Sequence, residues 1–184
     1  QLESIMAAGG KFDTDIKFGT IGAVAVDSHG HVAAATSTGG LTAKRWGRIG
    51  DSPLIGAGTY AEDSSCAVSA TGLGEAFIRA VAAHQLAMRL KLGGQGLQQA
   101  LDDVLADVGT LDGSGGLIAV TAAGEAACGF TTPGMYRAIA KADGARLHER
   151  GIVALSGVAA LLLAVAVGAA GAIAATRALH SVCG

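Results

Sequence analysis

The sequence predicts an α+β fold in which helices pack against an antiparallel sheet. Short apolar strands joined by tight turns occupy both ends of residues 20–132, and two stretches with helical periodicity lie between them. This order of strands, two helices and strands is typical of layered α+β domains. The chain has 184 residues, of which 51% are apolar, and this is enough for one domain with its own core.

The first hairpin is predicted from residues 18–40, which read FGTIGAVAVDSHGHVAAATSTGG. Two blocks of alternating apolar residues are joined by the segment DSHG, which supplies Gly30 for a turn. Thr20 begins the first block, and Thr38 lies in the TSTGG segment that ends the second. Because the strands of a hairpin run in opposite directions, we expect these hydroxyl groups to meet at its open end.

The remaining strands are predicted from shorter apolar runs between turn signals. A Gly-rich loop at residues 37–53 carries most of the local charge and leads into strands at 54–61 and 65–72. A last hairpin is predicted at 117–132, with its turn at residues 122–125.

The two helices are predicted from apolar residues that recur with a period of 3.6. The first helix carries the stripe Phe77, Val81, His84 and Met88, and its histidine is expected to lie in the core. The second helix is predicted at residues 96–108, where leucines and valines form the apolar face.

Charge and cysteine content narrow the classes of partner. The net charge is −2 and there is no basic run, so nucleic acid is not an expected partner. Three scattered cysteines, Cys66, Cys128 and Cys183, form no CxxC motif, and we therefore expect no zinc site and no disulfide framework. A reduced, cytoplasmic location is the default expectation. We expect no metal and no cofactor, and His29 and His31 should be solvated beside their turn.

Both ends of the chain depart from this pattern. The sequence begins QLESIMAAGGKFD without an initiator methionine, so an N-terminal portion is expected to be missing or to lie in another chain. The segment at residues 151–177 has no charged residue between Arg150 and Arg177. This uncharged stretch is long enough to span a bilayer. Leucines and valines favour a membrane helix there, whereas the many alanines and glycines favour a buried tail.

Thr20 is a candidate nucleophile, although a threonine at a strand end most often serves only as a hydrogen-bonding residue. Its hydroxyl needs a base, and an N-terminal threonine carries one in its own α-amine, whose pKa is about 8. That amine exists only if the chain is cut before Thr20. Gly19 suits the cut because it has no side chain to hinder attack on its carbonyl carbon.

Two further motifs could serve such a nucleophile. The segment GRIGDSP supplies Arg48 and Asp51, which could bind a substrate or could form a salt bridge within the loop. The segment SATGLGE places Thr71, Gly72 and further glycines where a strand leads into a helix. Alone it could also be a weak phosphate loop, and Glu75 is expected to be a first-turn helix acid.

Several motifs in order resemble the β-subunit of plant-type asparaginases, also called isoaspartyl peptidases. These motifs are GTIGAVAVDSHGHVAAATSTGG, GRIGDSPLIGAGTYA, CAVSATGLGE, DGSGGLIAV and GMYRA, and the resemblance covers about residues 15–145. It implies an N-terminal-nucleophile hydrolase with an αββα sandwich, of which this chain has mostly the β-subunit half. Residues 1–19 would be the end of an α-subunit with its linker, and 20–145 the catalytic half.

The resemblance also implies a role for each site residue. Thr20 would be the nucleophile, exposed by cleavage after Gly19, and Thr38 would orient its hydroxyl. Arg48 would bind the substrate α-carboxylate, for which a guanidinium fork is suited, and Asp51 would bind the α-ammonium. The Thr71 hydroxyl and the Gly72 amide would form the oxyanion hole, and Gly74 would let the backbone approach the substrate.

The implied activity is hydrolysis of a small-molecule substrate, either L-asparagine or a β-aspartyl dipeptide, without a cofactor. The implied partner is an α-subunit half, from a missing segment or a separate chain, in an (αβ)2 oligomer. A glycosylasparaginase would use the same nucleophile. An alternative hypothesis is that the chain is a catalytically silent remnant, tethered to a membrane through residues 151–177.

Overall fold

The structure, a computed structural model, describes residues 20–41, 44–140, 146–149 and 161–166. The helices are α1 (Gly74–Ala80), α2 (Ala82–Lys91) and α3 (Leu97–Thr110). The strands are β1 (Thr20–Val26), β2 (Val32–Thr38), β3 (Thr59–Ala61), β4 (Cys66–Gly72), β5 (Gly115–Thr121), β6 (Ala126–Phe130), β7 (Tyr136–Ala140), β8 (Arg146–Glu149) and β9 (Leu161–Ala166). The predicted α+β class is confirmed.

The strands form two antiparallel sheets. One sheet has the order β2-β1-β9-β7-β8, and the other has the order β3-β4-β5-β6. Both predicted hairpins are present, because β1 pairs with β2 and β5 pairs with β6. The turn of the first hairpin is held by Asp27, whose Oδ1 accepts hydrogen bonds from the backbone N–H groups of His29 (2.8 Å) and His31 (2.9 Å).

The two sheets lie face to face, and the helices cover the far side of the four-stranded sheet. Val24 and Val26 of β1 pack with Ile118 and Val120 of β5 between the sheets. A second cluster of apolar residues joins β4 and β5 to all three helices. Because β4 is covered on both faces, its residues are buried almost without alternation. The described residues thus form three layers, in the order sheet, sheet and helices.

The predicted strand at 54–61 is mostly a turn, and only Thr59–Ala61 is extended. The backbone N–H groups of Leu54 and Gly58 both donate to the Asp51 carbonyl, at 2.9 and 3.1 Å. A Cβ on Gly58 would lie 2.5 Å from that carbonyl oxygen. The turn therefore wraps tightly around Asp51, which the apolar pattern of this run did not indicate.

The first predicted helix is divided at Val81, which adopts a left-handed conformation with φ 49° and ψ 45°. The first N–H groups of α2 find acceptors outside the helix: Ala83 donates to the Ala57 carbonyl and His84 to the Gly56 carbonyl. Val81 is 46% exposed, so it does not belong to the predicted apolar face. His84 is half-buried and packs edge-to-face on Tyr60, with ring centroids 5.3 Å apart.

The apolar tail contributes a strand at the six residues where the structure describes it. Leu161–Ala166 forms β9, which pairs with β1 on one side and β7 on the other. A candidate membrane helix through these positions is therefore replaced by a strand, since a short Leu- and Val-rich run fits either element. The rest of 151–177 lies outside the described residues. Within the described part of the chain, no helix is long and apolar enough to cross a bilayer.

Candidate active site

The open end of the first hairpin brings the two predicted threonines together. Thr20 and Thr38 are directly opposite each other in the β1–β2 register. The buried Thr20 hydroxyl donates a hydrogen bond to Thr38 Oγ1 at 3.3 Å. Thr38 Oγ1 also accepts the Gly40 backbone N–H at 2.9 Å. Thr38 is thereby fixed from the loop side, and its oxygen sets the direction of the Thr20 hydroxyl.

The second sheet approaches this end of the hairpin closely. Thr36 Oγ1 donates to the Gly58 carbonyl at 2.9 Å and shares a 2.6 Å hydrogen bond with Ser69 Oγ of β4. A Cβ on Gly22 would lie 2.1 Å from Ser69 Oγ, so only glycine lets β1 approach β4 this closely. Thr71 lies two residues beyond Ser69, on the same face of β4.

Thr71 and Gly72 form the end of β4. At this position they could donate hydrogen bonds to an acceptor atom of a ligand. The buried Thr71 hydroxyl has no hydrogen-bond partner among the described residues, an arrangement that is costly unless a ligand supplies the partner. Gly72 has φ +148°, and a Cβ there would lie 2.3 Å from the Ser114 carbonyl oxygen. The strand end therefore requires glycine for both its backbone conformation and its packing.

The loop before β3 carries the charged part of the site. Asp51 is 5% exposed, and its Oδ2 has no hydrogen-bond partner among the described residues. Burial raises the pKa of Asp51 from 3.8 to about 6, against the opposing effect of the Arg48 charge. A Cβ on Gly74 would lie 2.8 Å from Asp51 Oδ1 and 3.2 Å from Arg48 Nη2. Gly74 thus leaves the room that both charged groups need.

Arg48 forms its ion pair with Glu75 and not with Asp51. Its Nε donates to Glu75 Oε1 at 2.9 Å and its Nη2 to Oε2 at 3.0 Å. Glu75 is in the first turn of α1, as expected, and its pKa is lowered by its own backbone N–H and by Arg48. Sequence reasoning missed this pairing because 27 residues separate the partners. The sequence signal that could have indicated the pair is the presence of a basic residue in the GRIGD motif and an acidic residue in the ATGLGE motif.

A narrow cleft joins these groups. It is lined by five of the predicted site residues, together with Gly40, Leu41, Gly50 and Ser52; the five are Thr20, Thr38, Arg48, Asp51 and Gly72. Thr71 and Gly74 are not among the lining residues, and Gly19 lies outside the described residues. The cleft combines a buried hydroxyl, a cation and a buried acid, which is a suitable set for holding an amino acid beside a nucleophile.

Potential metal ligands come together elsewhere in the described part of the chain. The ligand atoms of Asp27, His29 and His31 lie within 4.8 Å of one another at the turn of the first hairpin. Both histidines are exposed, as expected. This turn is at the opposite end of β1 from Thr20, so these side chains do not contribute to the cleft.

The chain is similar to proteins whose names contain isoaspartyl peptidase, L-asparaginase or both. A family model described as asparaginase matches residues 3–149. The isoaspartyl peptidase of Escherichia coli (strain K12) is 53% identical over 132 residues, which are 71% of this chain and 41% of that protein. The probable isoaspartyl peptidase/L-asparaginase 2 of Arabidopsis thaliana is 54% identical over 126 residues (68% and 38%). The isoaspartyl peptidase/L-asparaginase of Homo sapiens is 42% identical over 139 residues (75% and 44%). The chain thus matches about two fifths of the length of these curated relatives.

Proposed function

Because the chain belongs to the asparaginase family, we propose that it carries the nucleophile of an amidohydrolase that cleaves L-asparagine, β-aspartyl dipeptides or both. The observation that carries this proposal is the hydrogen bond between the Thr20 and Thr38 hydroxyls in a cleft that also contains Arg48 and Asp51. The names of the relatives, isoaspartyl peptidase and L-asparaginase, support the same substrates.

The nucleophile is released by cleavage of the Gly19–Thr20 bond. The Thr20 hydroxyl oxygen attacks the Gly19 carbonyl carbon, the C–N bond breaks, and Gly19 becomes an ester on Thr20 Oγ1. Water then hydrolyses that ester, which leaves a Gly19 carboxylate and a free α-amine on Thr20. The Thr38 oxygen supports this step because it holds the Thr20 hydroxyl in one direction, and orientation lowers the barrier of such attacks.

The freed amine then serves as the general base for substrate hydrolysis. It takes the Thr20 hydroxyl proton while the oxygen attacks the side-chain amide carbonyl of the substrate. The amine product leaves with that proton, and a β-aspartyl ester remains on Thr20. Water attacks the ester with the amine again acting as base, and free aspartate is released from the threonine.

Substrate binding follows from the charges of the cleft. Arg48 binds the α-carboxylate, with Glu75 holding the guanidinium in position. Asp51, charged above a pKa of about 6, binds the α-ammonium. The Thr71 hydroxyl and the Gly72 amide stabilise the oxyanion, and loss of one such donor typically lowers the rate by about 10²–10³. The Thr71 hydroxyl and one Asp51 oxygen, which have no hydrogen-bond partner within the part of the chain that the structure describes, support these roles.

A second half completes the fold in this proposal. Residues 1–19 are the end of an α-subunit and its linker, residues 20–145 are the catalytic half, and the two halves assemble as (αβ)2. The five-stranded sheet supports the proposal: β2 alternates between half-buried and exposed residues, so its outer face lacks a cover among the described residues. A helical layer on that face would give the αββα sandwich. The cytoplasmic location stays a prediction.

The test compares Thr20→Ala and Thr20→Ser in the whole protein, with Thr110→Ala, an exposed residue at the end of α3, as the control. Substrates are L-asparagine, a β-aspartyl dipeptide and glycosylated asparagine. Thr20→Ala should abolish hydrolysis with an unchanged melting temperature, and Thr20→Ser should retain part of it. Preference for the glycosylated substrate would favour a glycosylasparaginase. Unchanged hydrolysis by Thr20→Ala, or none by the wild type, would overturn the proposal.

A further inference from the structure

A second cavity of about 330 Å³ adjoins the cleft. It shares Thr38, Gly40, Arg48, Gly50 and Ser52 with the cleft, so the two are continuous. Its volume lies within the range of small-ligand pockets, which are roughly 300–1,000 Å³. The nucleophile's cleft therefore opens into a space that extends beyond the groups assigned to the aspartyl part of a substrate.

Lys44 lies on the wall of this second cavity. Its ammonium group folds over Gly40, where a Cβ would lie 2.6 Å from Lys44 Nζ. Gly40 in turn donates its backbone N–H to Thr38, the partner of Thr20. Two residues, Gly40 and Thr38, thus lie between the ammonium and the nucleophile.

Lys44 carries a charge that the described residues leave unpaired. The ion pairs of this part of the chain involve Lys91, Arg48, Arg89 and two histidines, and none of them involves Lys44. Neutral hydroxyls of Thr36, Ser37 and Ser52 complete the polar lining of the cavity. The cavity therefore presents hydrogen-bonding groups and an available cation.

We propose that Lys44 binds the carboxylate of the leaving residue of a β-aspartyl dipeptide. This inference rests on the function proposed above. A β-aspartyl dipeptide carries two carboxylates and one ammonium, and the site offers two cations and one buried acid: Arg48, Lys44 and Asp51. Asparagine has a single carboxylate and releases ammonia, so it gives Lys44 no partner. The site is therefore built for the dipeptide in preference to asparagine.

The covalent distances of the substrate are consistent with this assignment. The leaving carboxylate is separated from the scissile carbonyl by one nitrogen and one Cα, which is roughly 4 Å at standard bond lengths. The flexible four-carbon stem of lysine lets the ammonium move over such a distance. Lys44 is a specificity residue in this proposal, because it touches the substrate but not the reacting bond.

The experiment measures kcat/KM of the whole protein for three substrates: β-aspartyl-leucine, its C-terminal amide and L-asparagine. Lys44→Met should lower kcat/KM for the dipeptide about tenfold to a hundredfold, as expected for a lost hydrogen bond to a charged group. Hydrolysis of the amide and of asparagine should stay within about twofold of wild type, since neither substrate has the carboxylate that Lys44 binds. Lys44→Arg should restore most of the dipeptide activity.

Arg45→Met is the matched control, because it removes an exposed positive charge from the same loop. It should leave the dipeptide preference unchanged. The inference is overturned if Lys44→Met slows dipeptide and asparagine equally, or if wild type cleaves the dipeptide and its amide equally well; the proposed function stands in both cases. A wild-type protein that cleaves none of the three substrates would overturn both proposals together.

Discussion

Asp51 is expected to lower the stability of the folded chain, because the site holds its carboxyl group in a buried position. Its carboxyl group is 5% exposed, one of its oxygens has no partner among the described residues, and burial raises its pKa to about 6. Replacement by asparagine, Asp51→Asn, keeps the shape of the side chain and removes the titrating group. The difference in stability between the variant and wild type should therefore report the electrostatic cost of the acid, because the packing of the side chain is unchanged.

The size of this effect follows from the two pKa values. Below 3.8 the carboxyl group is protonated in both the folded and the unfolded chain, and it makes no difference to stability. Between 3.8 and about 6 the unfolded chain loses the proton while the folded chain retains it, so the free energy of unfolding falls as the pH rises. The total loss is about 3 kcal/mol at about 1.36 kcal/mol per pH unit. Asp51→Asn should not show this loss.

The assay is denaturant unfolding of wild type and variant between pH 4 and pH 8. The free energy of unfolding of Asp51→Asn, relative to wild type, should rise by about 2.5 kcal/mol over this range, because a small part of the loss has already occurred at pH 4. Ser52→Ala, which alters a buried neighbour without removing a titrating group, should follow the wild-type curve. Parallel curves for wild type and Asp51→Asn would show that burial of the Asp51 carboxyl group does not lower the stability of the folded chain. The same variant should lose substrate binding, and the wild-type KM should rise as the pH falls below about 6.

Other predictions concern the geometry of the cleft. Thr38→Val should lower kcat about tenfold to a hundredfold with little change in KM, because the Thr20 hydroxyl loses its orienting acceptor; an unchanged kcat would contradict this role. Gly74→Ala should lower kcat/KM at least about tenfold by displacing the Asp51 carboxylate, whereas Gly109→Ala, where nothing lies within 4 Å of the new Cβ, should retain wild-type kinetics. Glu75→Gln should raise KM about threefold to tenfold, as measured by steady-state kinetics, because the Arg48 guanidinium loses a charged partner.

Local patterns were sufficient to predict the elements that build the nucleophile's surroundings. The alternation in residues 18–40 predicted the first hairpin, and antiparallel pairing then placed Thr20 opposite Thr38. Two apolar runs around a Gly-containing turn likewise predicted the β5–β6 hairpin. In both cases one turn fixes the register, so no contact between distant segments was needed.

Contacts between distant segments account for what the sequence did not predict. The left-handed Val81 depends on acceptors at Gly56 and Ala57, which helical periodicity cannot reveal. The Arg48–Glu75 pair joins a loop to the first turn of α1, and the two meet only in the folded chain. The strand Leu161–Ala166 depends on partners more than a hundred residues away in β1, and its composition alone fits a helix or a strand.

In the proposed mechanism, Thr20 becomes an N-terminal nucleophile. The most direct test is intact-mass measurement with N-terminal sequencing of the purified whole protein, beside its Thr20→Ala variant. We expect a wild-type fragment that begins Thr20-Ile21-Gly22 and a variant in which the bond between Gly19 and residue 20 stays intact. A wild-type protein that hydrolyses β-aspartyl dipeptides while Gly19 and Thr20 are still joined would contradict the proposed role of Thr20.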